Sequence, residues 1–299
     1  MAQINLDIDV LRTLVAAQKL GGFGRAAEQV GRSQSAVSQQ IHKLEERVGM
    51  PLFRKQGRGL ELTEAGETIL AYARRILDLN DEAVATVRGA AIDGVVRFGL
   101  TADFAEVGLP AALGRFKRTH PGVRIEAMVD RNAVLLERLD RGQLDLVLSL
   151  GHGARADAER IAKVPMVWIG RADGEMPWKQ GEPVPLALFE SPCFCRAGAV
   201  DSLDAAGMPW RVTFTSPSLY GLFAAIEAGL GVTVRTPLGI PPALGVVGPR
   251  LGLPKLGEID ISLHSANREL EPAAARFREI VRDVVEGVFA EMRLTKTAA

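Results

Sequence analysis

Residues 22–48 read GFGRAAEQVGRSQSAVSQQIHKLEERV, and this stretch decides the fold of the N-terminal part of the chain. Its pattern predicts two helices joined by a tight turn: Arg25 to Val30, then a helix that Ser33 caps and that runs to Val48. The paired alanines Ala26-Ala27 allow two helices to approach closely, as a helix-turn-helix requires. One apolar stripe recurs at helical spacing on the second helix and consists of Val37, Ile41, Leu44 and Val48.

The opposite side of the second helix carries short or amide-bearing side chains, namely Gln34, Ser35, Ser38, Gln39 and His42. A glutamine amide can bond to adenine in bidentate fashion, and a serine hydroxyl can bond to base edges or phosphates. We therefore predict that residues 34–39 enter the major groove of DNA. The alternative is a solvated amphipathic helix in an ordinary helical bundle, because most such helices only pack.

A basic wing is predicted after the second helix. Residues 56–62, QGRGLEL, have the glycine punctuation of a β-hairpin. Between residues 32 and 58 the six basic residues Arg32, Lys43, Arg47, Arg54, Lys55 and Arg58 stand against the acidic pair Glu45 and Glu46. Such an excess is the electrostatic footprint that phosphate binding needs. The predicted DNA-binding set is Arg32, Ser33, Gln34, Ser35, Ser38, Gln39, His42, Lys43, Arg54, Lys55 and Arg58.

The run AAEQVGRSQSAVSQQIHKLEERVGMPLFRKQGRGLELTEAG, residues 26–66, resembles the winged helix-turn-helix signature of LysR-type transcriptional regulators. One departure is that Gly22 and Gly24 stand where the family often has serine or threonine. The resemblance implies an N-terminal winged helix-turn-helix (all-α with a β-wing), a linker helix that pairs two subunits, and a two-lobed α/β periplasmic-binding-protein-like regulatory domain. It also implies dimers of dimers that read an interrupted palindrome in double-stranded DNA, with RNA polymerase as a further partner.

We expect residues 1–62 to form the DNA-binding domain, residues 63–89 the linker helix and residues 90–299 the regulatory domain. The linker helix would begin after its cap, Thr63, and run to about Arg88. Its long apolar stripe consists of Ile69, Leu70, Ala73, Ile76, Leu77, Ala83, Val84 and Val87. Pairing with a second copy would cover this stripe, and Asn80 within it would fix the register. The alternative is that the helix packs only on its own domain.

Composition sets limits on the class of protein. The 299 residues have a formal net charge of zero and 47% hydrophobic residues, which fits a packed globular protein with a locally basic head. The N-terminus lacks the pattern of a signal peptide, and no run of about 18 apolar residues predicts a membrane span. The only cysteines, Cys193 and Cys195, cannot form a disulfide framework. We expect a cytoplasmic protein.

Past a small-residue hinge at residues 89–94, strands alternate with helices. This alternation predicts a mostly parallel sheet with helices on both sides. The two lobes themselves are implied by the resemblance: lobe I would comprise residues 92–163 plus 266–299, and lobe II residues 164–265. A small effector would then bind in the cleft between them.

Ligands of open α/β sheets bind beyond the carboxyl ends of the strands, and this rule selects four loops. Hydroxyls and helix N-termini in these loops favour an anion, aromatic rings could form apolar walls, and Arg196 or Arg235 could meet a carboxylate. Asp103 opposes an acidic ligand; it could instead bind an amine or a hydroxyl, or it could point outward. The predicted effector-binding set is Thr101, Ala102, Asp103, Phe104, Ser149, Ser191, Cys193, Phe194, Arg196, Ser216, Ser218, Tyr220 and Arg235.

Other chemistry has weaker support in the sequence. A redox role for the Cys193-x-Cys195 pair is an open hypothesis, but a disulfide across one residue is strained and easily reduced. The four histidines lack metal-ligand spacing, and neither a phosphate-binding loop nor a GxSxG elbow is present. We predict a non-enzyme with no metal or cofactor: a sequence-specific, effector-controlled DNA-binding regulator. The alternatives are an effector-independent architectural DNA binder and a small-molecule-binding protein whose helical head docks a partner.

Overall fold

The computed structural model describes residues 5–56, 59–88, 92–174, 178–179 and 181–297. The chain divides into two compact units, residues 1–91 and residues 92–299. Arg58, the side chain of Lys55 and the hinge residues 89–91 lie outside the described residues. Within the described parts of the chain, no helix combines the length and apolar character that a bilayer crossing demands.

The first unit is helical and carries one β-hairpin, which confirms the expected winged helix-turn-helix. Its described elements are α1 (Ile8–Leu20), α2 (Phe23–Val30), α3 (Gln34–Val48), β1 (Phe53–Gln56), β2 (Gly59–Leu62) and α4 (Glu64–Arg88). Helix α2 begins at Phe23 rather than at the predicted Arg25. The Phe23 ring meets the Phe53 ring edge to face, with centroids 5.3 Å apart, so the start of α2 packs against the wing.

Two apolar clusters hold the first unit together. Small side chains fill the contact among the first three helices, so their backbones approach closely; they are Ala16, Ala17, Ala26, Ala27 and Val37. Larger side chains join α1 and α3 to the start of α4; they are Leu11, Leu14, Ile41, Leu44, Leu52, Leu70, Ala73 and Leu77. The predicted apolar stripe of α3 is therefore its buried side.

Helix α4 begins against the end of the wing. The Thr63 hydroxyl caps the helix by accepting the Gly66 N–H at 3.0 Å, and it donates to the Pro51 carbonyl at 2.6 Å. A Cβ on Gly66 would lie 2.1 Å from the Leu52 carbonyl oxygen, so only glycine fits this approach. Farther along, α4 leaves apolar side chains exposed, and these are Tyr72, Leu79, Val84 and Val87.

The second unit has the strand and helix alternation that the sequence predicts, which confirms the α/β class. Its described helices are α5 (Ala102–Ala105), α6 (Leu109–Thr119), α7 (Asn132–Asp140), α8 (Phe194–Ala205), α9 (Leu219–Glu227) and α10 (Pro272–Thr297). Its described strands are β3 (Gly94–Leu100), β4 (Val123–Val129), β5 (Leu146–Leu150), β6 (Ala158–Pro165), β7 (Val167–Arg171), β8 (Val184–Phe189), β9 (Trp210–Ser216), β10 (Thr233–Arg235), β11 (Leu244–Val246) and β12 (Glu258–Ser265).

These strands form two groups of sheet. A five-stranded sheet has the order β4-β3-β5-β12-β6. The other strands form the order β10-β7-β11 and the pair β8-β9, and a parallel bridge between Leu186 and Val232 connects β8 to the residue before β10. The expected mostly parallel arrangement is wrong, because β12 runs antiparallel to β5 and β6, and β7 runs antiparallel to both its neighbours.

Strand β12 also corrects the expected lobe boundary. The family resemblance implies a second lobe of residues 164–265, but β12 pairs with β5 from Ile261 to Ser265 and so belongs to the five-stranded sheet. Strands β6 and β12 are neighbours that carry the chain out of that sheet and back into it. Helix α10 then packs on the same sheet, where Phe277 lies against Phe98 and Phe116 with ring centroids 5.2 and 5.0 Å away.

Candidate functional site

Helix α3 exposes one polar side at the surface of the first unit. Ser33 caps the helix, because its Oγ accepts the Ala36 N–H at 3.2 Å and lies 3.0 Å from Ser35 Oγ. Arg32 to Ser35, Ser38, Gln39, His42 and Lys43 are all exposed, while Val37, Ile41 and Leu44 are buried. Burial of the apolar side therefore fixes which way the glutamines and serines point.

The wing is tied to this helix by one carboxylate. Glu45 of α3 accepts the backbone N–H groups of Leu52 at 2.8 Å and Phe53 at 3.2 Å. Hydrogen bonds to a charged acceptor are stronger than neutral ones. The start of β1 is consequently held at the C-terminal end of α3, so helix and wing form one continuous surface.

Some of the predicted basic residues on this surface already have acidic neighbours. Arg54 binds Glu61 across the hairpin, with Nε and Nη2 at 2.9 and 2.8 Å from one carboxylate oxygen. Arg32 lies 3.7 Å from Asp9, and His42 lies between Glu45 and Glu46. Exposed pairs of this kind are worth roughly 0–1 kcal/mol, so a phosphate can displace them at little cost.

A second candidate site is a cavity of about 790 Å³ in the second unit. Segments that follow β3, β4, β5, β8 and β9 line it, together with Arg235 of β10. The first residues of α7, α8 and α9 all face the cavity, so three helix N-termini converge on it. Free N–H groups at helix starts carry partial positive charge and favour anionic groups.

Ten of the thirteen predicted effector-binding residues line this cavity. They are Thr101, Ala102, Asp103, Ser191, Cys193, Phe194, Arg196, Ser218, Tyr220 and Arg235. They come from three separate segments, which follow β3, β8 and β9, and from strand β10, and the fold brings them to one place. Whether they bind an effector stays a prediction.

Three predicted residues do not face the cavity, and each has a physical reason. Phe104 is 2% exposed, because the short helix α5 turns its ring into the main apolar core. Ser149 is fully buried and lies 2.8 Å from His264 Nε2 on the neighbouring strand. Ser216 Oγ accepts the Ser218 N–H at 3.1 Å and so stabilises the turn that begins α9.

Asp103 and Arg235 form a buried ion pair in the cavity wall. The Arg235 guanidinium donates to both carboxylate oxygens, with Nε 3.2 Å from Oδ1, and both side chains are less than a tenth exposed. Burial opposes the charge on Arg235, but the carboxylate opposite it raises the pKa of the guanidinium. The expectation that Asp103 would repel an acidic ligand is therefore incomplete, because Arg235 neutralises it.

Other polar groups in the wall retain binding capacity. Thr101 Oγ1 is buried and has no hydrogen-bond partner within the described protein. Arg196 donates through Nη1 to the Phe189 carbonyl at 2.9 Å, and this bond fixes the position of its guanidinium in the cavity wall. A buried hydroxyl without a partner costs free energy, so it is a natural place for a ligand atom to bind.

Sequence reasoning missed the wall that follows β4. Arg131 donates to Glu190 at 3.1 Å across the cavity, and the Asn132 amide donates to the Leu150 carbonyl at 2.6 Å. His152 also lines the cavity and meets the Phe194 ring at 4.9 Å. The strand-end rule would have found Arg131 and Asn132 if it had also been applied to β4. Among the described residues, no cluster of three or more metal-ligand side chains occurs.

A winged helix-turn-helix unit followed by an α/β unit with a large cavity defines a class of protein: DNA-binding regulators with a ligand-binding domain. Residues 8–67 match the family described as "Bacterial regulatory helix-turn-helix protein, lysR family", and residues 89–286 match "LysR substrate binding domain". The chain belongs to the LysR family of transcriptional regulators, with a DNA-binding helix-turn-helix and an effector-binding domain.

Individual proteins agree with this assignment. The chain is 40% identical to the transcriptional regulator PecT of Dickeya dadantii over 85% of this chain and 79% of PecT. It is 37% identical to the regulator DgdR of Burkholderia cepacia over 94% of this chain and 95% of DgdR. The crystal structure of Vibrio fischeri DarR in complex with DNA shares the fold, with a TM-score of 0.54 and 17% identity over 94% of this chain and 99% of that one.

Proposed function

We propose that the polar side of α3 reads bases in an interrupted palindrome of double-stranded DNA, and that a small effector in the cavity controls this binding. The single observation that carries the effector half is the buried, unpartnered hydroxyl of Thr101 in the cavity wall. The DNA half rests on the exposed amides Gln34 and Gln39, which α3 and its cap hold in a fixed orientation.

Pairing of two subunits through α4 belongs to the same proposal. The start of α4 packs on its own unit through Leu70, Ala73 and Leu77, whereas Leu79, Val84 and Val87 are exposed. A second copy of α4 would cover this exposed part, and a two-fold dimer would match a palindrome. Two such dimers would give a tetramer, and the family resemblance supplies RNA polymerase as a further partner.

A competition gel shift tests the DNA half of the proposal. The probe is the DNA upstream of the protein's own gene, titrated with protein at several salt concentrations and with excess non-specific competitor. We expect saturable binding that resists the competitor and weakens with salt according to the number of phosphate contacts. Binding that the competitor removes would favour a head that docks a protein partner instead.

A thermal-shift screen with metabolite fractions from the native cell extract tests the effector half. An effector stabilises the folded state by mass action, so the melting temperature should rise with the concentration of the active fraction. Thr101→Val keeps the shape of the side chain and removes its hydroxyl, so it should weaken the shift. If no fraction raises the melting temperature, an architectural DNA binder becomes the better reading.

A further inference from the structure

The structure assigns a second kind of chemistry to the cavity: we propose that Cys193 is a nucleophile that takes a covalent adduct from an organic electrophile, an α,β-unsaturated carbonyl compound. An effect of the adduct on DNA affinity rests on the proposed function of the effector cavity, but the reactivity of Cys193 does not. This proposal gives a role to the Cys193-x-Cys195 pair, whose presence effector binding alone does not explain.

The position of Cys193 suits a nucleophile. It lines the cavity directly before the first turn of α8 and is partly exposed, whereas Cys195 is 3% exposed. The Cys195 thiol lies two residues along the chain and acts on the Cys193 sulfur, and the Arg235 guanidinium is close enough to act on both sulfur atoms. Each of these neighbours stabilises a negative charge on Cys193, as does the N-terminus of a twelve-residue helix.

The two thiols have different protonation states as a result. The hydrogen bond from Cys195, with the charge of Arg235, outweighs burial and lowers the pKa of Cys193 to about 6. The same hydrogen bond and burial raise the pKa of Cys195, so Cys195 stays a protonated donor. At neutral pH the pair therefore presents one thiolate to the cavity, held by a neighbouring thiol.

The shape of the cavity selects an organic electrophile over a small oxidant. Its volume of about 790 Å³ and its walls of Phe189, Phe194, Leu219 and Val200 would hold an apolar body. Oxidation to a Cys193–Cys195 disulfide would need a strained bridge across one residue, which is easily reduced. A carbon–sulfur adduct at Cys193 needs no strained bridge and is not broken by disulfide reduction.

The reaction balances without an oxidant. The Cys193 sulfur attacks the β-carbon of the conjugated carbonyl, a carbon–sulfur bond forms and the carbon–carbon π bond breaks. The electron pair moves to the carbonyl oxygen as an enolate, which takes a proton from water at the α-carbon. The Arg196 guanidinium and the Thr101 hydroxyl line the same cavity and are available to the enolate oxygen.

The first test is the pH profile of alkylation by iodoacetamide, followed by intact mass. Two matched variants each contain one cysteine: Cys195→Ser keeps a hydrogen-bond donor beside Cys193, and Cys195→Ala removes it. We expect a midpoint near pH 6 in the wild type, a similar midpoint in Cys195→Ser and a higher one in Cys195→Ala. At pH 6, Cys193 of the folded Cys195→Ser variant should react about tenfold faster than Cys193 of that variant unfolded in urea. The larger thiolate fraction in the folded protein outweighs the lower nucleophilicity of that thiolate.

The second test uses benzylideneacetone, an aromatic enone, on the full-length protein. We expect a single adduct on Cys193, none in Cys193→Ser, and a rate that saturates with enone concentration because the enone first occupies the cavity. A midpoint near pH 8.5, or modification of Cys195 first, would overturn the assignment of the nucleophile. If the adduct forms as expected but leaves affinity for the promoter DNA unchanged, only its regulatory role fails.

Discussion

The DNA-reading surface and the cavity are built in opposite ways. The surface has its exposed side chains on one helix, whose own apolar side fixes their direction; they are Gln34, Ser35, Ser38, Gln39, His42 and Lys43. The cavity is lined by short segments scattered from Thr101 to Ile259, and its charged pair joins residues 132 positions apart. Substitutions on the surface should therefore change DNA recognition and leave folding intact, whereas substitutions of buried residues in the cavity wall should change both ligand binding and folding.

The largest expected effect comes from Asp103→Asn. This change leaves the buried guanidinium of Arg235 without its carboxylate, and breaking a buried pair costs about 3–5 kcal/mol. All three tryptophans, Trp168, Trp178 and Trp210, lie in the second unit, so urea unfolding followed by tryptophan fluorescence reports on that unit.

The exposed pair across the same cavity is the matched control. Arg131→Gln breaks a contact with Glu190 in which both side chains are 44% or more exposed, and it should cost about 1 kcal/mol or less. Equal losses for Asp103→Asn and Arg131→Gln would show that burial of the Asp103–Arg235 pair does not determine stability in this wall.

A smaller effect, confined to recognition, is expected from Gln34→Ala and Gln39→Ala. Each lost bidentate contact should remove about 1–3 kcal/mol of discrimination against the wrong base. Lys43→Ala should instead weaken binding to all sequences similarly and reduce the salt dependence. The measurement is a set of binding isotherms on the operator and on singly substituted operators at two salt concentrations.

Gln40→Ala supplies the control on the same helix. Its amide oxygen accepts the Thr13 hydroxyl at 3.2 Å and its side chain is only partly exposed, so it belongs to the packing between α1 and α3. We expect Gln40→Ala to lower stability slightly and to leave base preference unchanged. If Gln34→Ala behaves like Lys43→Ala, the assignment of base reading to Gln34 is wrong.

The same contrast explains how far the sequence could predict the molecule. The α3 surface was predictable because helical periodicity links burial of Val37, Ile41 and Leu44 to exposure of their neighbours. The parts of the cavity wall that follow β3, β8 and β9 were predicted from one rule about strand ends. The sequence could not show that Ser149 lies away from the cavity. Strand β5 is buried along its whole length, and the Ser149 hydroxyl binds His264, which is 115 residues later in the chain.

The antiparallel direction of β12 could not be predicted from the sequence either. Its residues look like any strand in an alternating α/β pattern, and only pairing with β5 and β6 shows that it returns antiparallel to the first sheet. The Asp103–Arg235 contact could not be predicted for the same reason, because the sequence around neither residue indicates its partner. Local rules thus predicted elements and loops, while contacts between distant strands required the structure.

The smallest effect expected is a pH dependence confined to the second unit. Burial lowers the pKa of His264, His120 and His152, so the folded unit favours their neutral forms. An unfolded histidine has a pKa near 6.5 and binds a proton that the folded state resists. The stability contribution is therefore complete above pH 6.5 and is lost progressively as the pH falls below that value.

Melting curves of the Cys193→Ser variant, followed by tryptophan fluorescence between pH 7.5 and pH 5.5, would measure this effect. The variant is needed because the Cys193 thiol, with a pKa of about 6, loses its own stabilising contribution in the same interval. The melting temperature of the variant should fall toward the acidic end. His264→Gln keeps a hydrogen-bonding side chain beside Ser149 and removes the titrating group, so its melting temperature should change less over the same interval. Asp157 does not confuse the result. Burial opposes its charge, but Arg155 and His264 lower the pKa of its carboxyl, so its contribution is lost only in more acidic solution. His42→Gln, on the exposed side of α3, should leave the profile of the second unit unchanged. A flat profile for Cys193→Ser would show that protonation of these histidines does not affect the stability of the second unit in this interval.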